Sequence, residues 1–338
     1  MPNKKTNWEQ KVSDIRVGVI GVGIMGAGHA RYITDSVDGA VVTAFFDLDA
    51  ARMDALANEL SAKSGATINK HSSVADLIND PTVDAVIICS PDGLHPEHLE
   101  LCVKAGKPTL CEKPLAPRLE DAKKIAEIVK ASGVPVALGF MRRFDPGYIQ
   151  LKKEIQSGKY GEVVQIRAVT RNVSSPGATT AGMIFNSAVH EFDIARWLLE
   201  EEFTTVSVAY AKKTGHAVPD IHDVISIISH TESGVLMTVD NCANSTYGYD
   251  VRVEVLMQNG SLELNNLGDL TISFGFELPG RKAGRLHDNW IGRFTDAYIG
   301  ELRAWIASIK DGVANPNLAT VDDGIAASIA CEKGIASL

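Results

Sequence analysis

"VIGVGIMGAGHARYI", residues Val19 to Ile33, decides how the first half of this chain is read. It holds Gly21, Gly23 and Gly26 in the spacing G-x-G-x-x-G. That spacing alone is weak evidence, so its surroundings matter. The short apolar run Ile15–Ile20 predicts a buried strand before it, and a helical stretch to about Ile33 follows. Ala40–Phe46 predicts the next strand, and Asp47 stands at its end, 21 residues after Gly26.

This is the context of a dinucleotide-binding turn. Gly21 permits the tight turn, Gly23 lets backbone N–H groups approach a pyrophosphate, and Gly26 lets the helix pack closely on the strand. Ile24 and Met25 open that helix, whose N-terminus favours phosphate charge. Asp47 is placed to hold ribose hydroxyls. The run Asp47-Leu48-Asp49 is acidic, with no Arg read as its neighbour, so NAD is expected rather than NADP.

Outward from the turn, strand and helix patterns alternate. "DAARMDALANEL" puts Met53, Leu56 and Leu60 on one helical face, with Asp49 as N-cap. Val83–Cys89, Pro108–Cys111 and Val134–Leu138 read as further strands, and Ala122, Ile125, Ala126 and Val129 mark a helix. Repeated β-α units imply a parallel sheet covered on both faces. After about residue 140 the rhythm changes. Val163–Val169, much of Val224–Val239, and Val251–Met257 alternate apolar and polar residues, as in half-buried antiparallel strands. Helices are expected near Asn186–Leu199, Arg293–Ile309 and Asp322–Ile335.

The expected fold class is therefore α/β: a Rossmann domain with a parallel sheet, then an α+β domain with a large, open, mostly antiparallel sheet. The expected division is a flexible tail over 1–14, an NAD-binding domain over 15–138, and a substrate-binding and oligomerisation domain over 139–338. The last helix is free to pack back on the first domain.

Composition narrows the function classes. A chain of 338 residues with a formal net charge of −9 argues against broad nucleic-acid binding, which needs a basic surface. No apolar run approaches the roughly 20 residues of a membrane span. The start "MPNKKTNWEQKVSD" lacks the apolar core of a signal peptide. The five cysteines are odd in number without a C-x-x-C, so free thiols in a reducing cytoplasm are expected. His95-x-x-His98 has no further ligand at zinc-like spacing, so no metal is expected.

"CEKP", Cys111–Pro114, follows the strand "PTLC" directly. That is the carboxyl edge of a parallel sheet, where ligands bind in such folds. A lysine there can hydrogen-bond a substrate hydroxyl and, when desolvated, release its proton more readily. The plain alternative is a surface lysine.

Six segments in order resemble one known family. They are "GVIGVGIMGAGHA", "SPDGLHPEH" (Ser90–His98), "CEKP", "GFMRRFDPGY" (Gly139–Tyr148), "AVHEFDIARWL" (Ala188–Leu198) and "STYGYDVRVEV" (Ser245–Val255). Together they resemble the glucose–fructose oxidoreductase / inositol dehydrogenase / rhizopine-catabolism (Gfo/Idh/MocA) family over nearly the whole chain, and its inositol dehydrogenase branch most of all. The resemblance implies NAD bound by Gly21, Gly23, Gly26 and Asp47. Ser90 and His95 would line the dinucleotide loop, with Glu112 and Lys113 beside the nicotinamide. Lys113 would touch the hydroxyl being oxidised, and His190 would be the general acid/base. Tyr249 and Arg143 would line the substrate pocket, although the sequence does not separate Arg142 from Arg143. Without the resemblance, His190 reads as a buried structural histidine, and a core aromatic at a turn stays open as the alternative for Tyr249.

The resemblance further implies a Lys–Pro bond that is often cis, and a dimer or tetramer joined through the C-terminal sheet. The implied reaction is reversible oxidation of a ring secondary alcohol of a myo-inositol-like cyclitol to the ketone. An aldose dehydrogenase, an NAD-dependent glycosidase and a non-enzymatic NAD sensor stay open. In one place the chain departs from the family. The resemblance implies that relatives usually carry Asp four residues before the histidine, and this chain has Asn186 in "NSAVH". Positions i and i+4 share a helix face, so Asn186 and His190 are both expected to face the site.

Overall fold

The computed structural model describes residues 14–175, 178–265, 270–273 and 286–338. The tail expected over 1–14 lies outside these, apart from Asp14.

The first half alternates as expected. β1 (Ile15–Ile20) leads through the glycine turn into α1 (Ile24–Ser36), then β2 (Ala40–Phe46) and α2 (Ala50–Ser64). Asp49 caps α2, its side chain accepting from the Arg52 N–H at 3.0 Å. β3 (Asn69–Lys70), α3 (Val74–Asn79), β4 (Ala85–Ile88), α4 (His95–Lys104), β5 (Thr109–Glu112), α5 (Leu119–Ser132) and β6 (Val136–Gly139) complete the series. Their sheet is parallel throughout, in the order β3-β2-β1-β4-β5-β6. The order reverses between β1 and β4, which opens a crevice at their carboxyl ends. The short two-residue β3 and the single helical turn and a half of α3 left too little periodicity to be read in advance.

A second sheet follows α6 (Pro146–Gln156), which begins on an Asp145 cap. β7 (Val163–Arg171), α7 (Thr180–Met183), a π-helical turn (Ile184–Ala188) and α8 (Val189–Leu199) come next. Then come β8 (Phe203–Tyr210), β9 (Val224–Thr231), β10 (Leu236–Cys242), β11 (Asp250–Met257), β12 (Gly260–Leu264) and β13 (Leu270–Ser273). The sheet order is β13-β12-β11-β7-β10-β9-β8. Only β7 and β10 pair in parallel; the other neighbours are antiparallel. The single helix expected near Asn186–Leu199 is thus part of a longer helical run from Thr180 that passes through a π turn before α8.

α9 (Trp290–Asp311) and α10 (Val321–Ile335) return to the first sheet. Leu302, Trp305 and Ile306 of α9 share a buried cluster with Val17, Val19 and Ile33. Ahead of α10, the Leu138 N–H donates to the Ala319 carbonyl at 2.9 Å. Gly324 of α10 fits against Leu138, where a Cβ would come within 2.3 Å of the leucine side chain. Two helices therefore pack back, where the sequence suggested one. Among the described residues, no helix is long and apolar enough to cross a membrane.

Candidate active site

Three carboxyl ends of the first sheet meet at one place. After β1, Gly21 takes φ +85°, and a Cβ on it would lie 2.6 Å from the Cys89 carbonyl that follows β4. A Cβ on Gly26 would lie 1.8 Å from the Gly21 carbonyl, so α1 can start this close to β1 only with glycine there. Among the described residues, nothing lies within 4 Å of a Cβ on Gly23, and no side chain caps α1. The first-turn N–H groups, from Ile24 and Met25 onward, are thus left for an anion, as a dinucleotide pyrophosphate requires. Ile24 is exposed and Met25 lines the neighbouring cavity.

Asp47 ends this turn from the other side. Its carboxylate accepts from the Val22 N–H at 2.7 Å and from the Asp49 N–H at 2.9 Å. One expectation is corrected here. Arg52, one turn into α2, reaches within 4.0 Å of Asp47 and 3.4 Å of Asp49. The setting remains acidic, with two carboxylates against one guanidinium.

A cavity of about 420 Å³ opens beside the turn, lined by residues of both sheets. Met25, Ser90, His95, Glu112 and Lys113 come from the first sheet's edge. The expected residues Asn186, His190 and Tyr249 come from the second half. His95 sits with Nδ1 2.7 Å from the Pro114 carbonyl and Nε2 2.8 Å from the Ser90 carbonyl. It thereby ties the loop after β4 to the turn after β5. The Ser90 hydroxyl meets His98 Nδ1 at 2.9 Å. The Lys113–Pro114 bond is cis.

Lys113 Nζ donates to the Asn186 carbonyl at 3.1 Å. Burial lowers its ammonium from the ordinary lysine range, against the pull of Glu112 and Asp92. His190 lies in the first turn of α8, with its ring edge-on to Phe140 at 5.9 Å. Burial, with Lys113 and Arg142 nearby, holds its imidazole well below the ordinary range. The neutral imidazole is the form that can accept a proton. Asn186, in the π turn, is exposed to the same cavity, so the expected shared face holds despite the irregular helix.

Arg143 does not belong to this cavity, which corrects the expectation. Its guanidinium is buried between Asp193 at 2.5 Å and Asp323 at 3.1 Å. Arg142 lines the cavity instead, paired with Glu191 and beside Tyr249. The reason is local. Residues Met141–Phe144 form a 3-10 turn, which sends successive side chains to different sides.

Sequence reading missed Asn172, Ser187, Trp290 and Tyr298, which also line the cavity. Asn172 donates to the Ser187 hydroxyl at 2.9 Å, joining the end of β7 to the π turn. The available signal was the position of Asn172 just past an alternating strand. Trp290 and Tyr298 lie on either side of a kink at Phe294 in α9, and Trp290 precedes the helix expected from Arg293, so no helical period pointed to them as a pair.

A glycine turn at a topological switch point, with a lysine and a neutral histidine facing one cavity beside it, defines a Rossmann-type dehydrogenase class. Residues 15–140 match the family described as "Oxidoreductase family, NAD-binding Rossmann fold", and residues 148–263 match that family's C-terminal domain. The chain belongs to this family, Gfo/Idh/MocA, and NAD is its cofactor. It is 40% identical to "Inositol 2-dehydrogenase 2" of Paenarthrobacter aurescens over 330 residues, covering 96% of each chain. It is also 40% identical to "Inositol 2-dehydrogenase 2" of Saccharopolyspora erythraea, over 96% of this chain and 93% of the relative. The crystal structure of myo-inositol dehydrogenase from Lactobacillus casei, in complex with NAD(H) and myo-inositol, superposes with a TM-score of 0.86. It is 28% identical and covers 96% of this chain and 94% of that one.

Proposed function

We propose that this chain oxidises a ring secondary alcohol of a myo-inositol-like cyclitol to the ketone, with NAD. One observation carries the reading. Apart from the charged Asp92, Glu112, Lys113 and the Glu191-paired Arg142, the cavity that holds His190 is walled largely by uncharged hydrogen-bonding groups, among them Asn172, Ser175, Asn186, Ser187 and Tyr249. A cyclitol is neutral and carries a hydroxyl on every side of its ring, so it suits such a wall.

In this reading the N–H groups around Gly21, Gly23, Ile24, Met25 and Gly26 hold the pyrophosphate, and Asp47 holds the ribose. Ser90, His95 and Glu112 wall the nicotinamide end. NAD, when bound, takes up the hydride. His190, neutral at working pH, accepts the hydroxyl proton. Lys113 donates a hydrogen bond to the same oxygen as negative charge builds on it. Asn186 and Tyr249 orient the ring, with Arg142 in the place expected for Arg143.

The domain limits at 15–138 and 139–338 belong to the same proposal, and so does a homo-oligomer through the second sheet. Its outer face exposes Ile228 and Leu256 among charged pairs such as Arg167–Glu254. Five free thiols suit a cytoplasmic setting. The test is NADH formation by the purified chain on a panel of inositols and aldoses. Turnover confined to aldoses would overturn the cyclitol reading.

A further inference from the structure

Glu112, a wall residue of the cavity, has a buried partner, His29, that the proposed mechanism does not use. His29 comes from α1, three residues after Gly26, and is 1% exposed. Its Nε2 lies 2.8 Å from Oε1 of Glu112, itself 9% exposed. Glu112 immediately precedes Lys113 at the end of β5. The other carboxylate oxygen rests where the neighbouring strand has no side chain. A Cβ on Gly139, its partner on β6, would lie 2.9 Å from Oε2. Tyr298 of α9 closes the pair from above, edge-on to the His29 ring at 5.7 Å. Among the described residues, His29 Nδ1 is buried with no hydrogen-bond partner. The contact with Glu112 is thus the polar contact that holds the imidazole among the described residues.

We propose that His29 is a positioning residue for the reaction: through Glu112 it fixes the turn that carries Lys113. The same helix would then hold the dinucleotide at its N-terminus and the catalytic lysine through its second turn. This rests on the functional reading above for the role of Lys113, but not for the geometry. The groups facing the Lys113 ammonium are Glu112 from its own turn, Asp92 ahead of α4, Arg142 after β6, His190 of α8 and Cys331 of α10. Glu112 is the strongest of those that favour the charged lysine.

The experiment uses the full chain without added NAD, as wild type, H29A, H29Q and E112Q. Labelling of Lys113 by trinitrobenzenesulfonate is followed by mass spectrometry across a pH series, because only the free amine reacts. E112Q removes the carboxylate while keeping its shape, so the labelling midpoint should fall by about one pH unit. In H29A the carboxylate loses its anchor and the midpoint should leave the wild-type value. H29Q keeps an N–H donor and should restore it. Turnover on whichever alcohol the wild type oxidises should fall about tenfold or more in H29A, as expected for a displaced catalytic group. One midpoint shared by all four chains overturns the proposal. So does a shift in E112Q with none in H29A. If the midpoints move as expected but the wild type oxidises no cyclitol, the functional reading fails and the positioning pair stands.

Discussion

Lys113 Nζ donates to the main-chain carbonyl of Asn186 at 3.1 Å, across the join between the first sheet and the π turn before α8. The lysine is thereby aimed at the cavity before any substrate arrives, and the contact uses one of its three N–H groups. A substrate oxygen can take another. Lys113→Ala should therefore leave NAD affinity close to wild type and cut kcat by about a hundredfold or more, the range for loss of a group that steadies developing charge. Fluorescence titration with NADH and steady-state kinetics check the two halves separately. Near-normal kcat at saturating substrate would remove Lys113 from the chemistry.

The pH profile follows from the two facing groups. Burial, then Lys113 and Arg142, lower His190 from its ordinary 6.5, so the base is already neutral in mildly acid solution. Burial also lowers Lys113 from its ordinary 10.5. The kcat/KM profile should rise through a value below 6.5 and fall through one below 10.5. Lys113→Met removes a positive charge beside His190, so the imidazole should titrate higher. An NMR titration of the histidine ring reads this directly. An unchanged His190 midpoint would show that the two groups do not sense each other.

Cofactor choice turns on Asp47 and Arg52. With Asp47 present, Arg52 is drawn toward two carboxylates, and a 2′-phosphate would meet negative charge. Asp47→Ser should weaken NAD and, by freeing Arg52, improve NADP. The ratio of kcat/KM for the two cofactors should shift by about tenfold or more, as for one lost charged hydrogen bond. A variant that still rejects NADP would place the selectivity elsewhere.

The architecture was legible because it rests on periodicity. Apolar strands alternating with amphipathic helices require a covered parallel sheet, and the alternation over Val251–Val255 requires a half-buried strand. Lys113 and His190 were legible through local motifs. Arg142 was not distinguishable from Arg143, because a 3-10 turn gives adjacent residues opposite surroundings that no period announces. His29 was hidden for another reason. Its partner Glu112 is 83 positions away, and the seat at Gly139 exists only once β5 and β6 pair.

Asp323 is expected to bear stability rather than catalysis. It caps α10 with Thr320, and its carboxylate meets Arg143 at 3.1 Å and Arg196 at 3.4 Å. Despite burial, Arg143 beside it lowers the carboxyl from 3.8 to about 2. The stabilisation is full above the ordinary value of 3.8 and is lost as pH falls toward about 2. Asp323→Asn should cost about 1–3 kcal/mol at neutral pH. Urea unfolding of the two chains should converge as pH falls through that window. A constant difference across the window would assign the loss to packing.

Asn186 decides whether the departure from the family's Asp has a consequence. Its side chain is exposed to the cavity, in the π turn that leads into the helix of His190, and its carbonyl holds Lys113. Asparagine donates as well as accepts, and brings no charge. The charges named beside His190 are Lys113 and Arg142, both positive, and both keep the imidazole neutral. Asn186→Asp would add a negative charge facing the same cavity. It should raise the His190 value and move the acid limb of kcat/KM upward, by about one pH unit for a carboxylate at close range. The new carboxylate can accept but not donate, so relative rates across inositol isomers should also change. If the limb and the isomer ranking both stay where they are, the amide at 186 tunes neither the base nor the choice of ring hydroxyl.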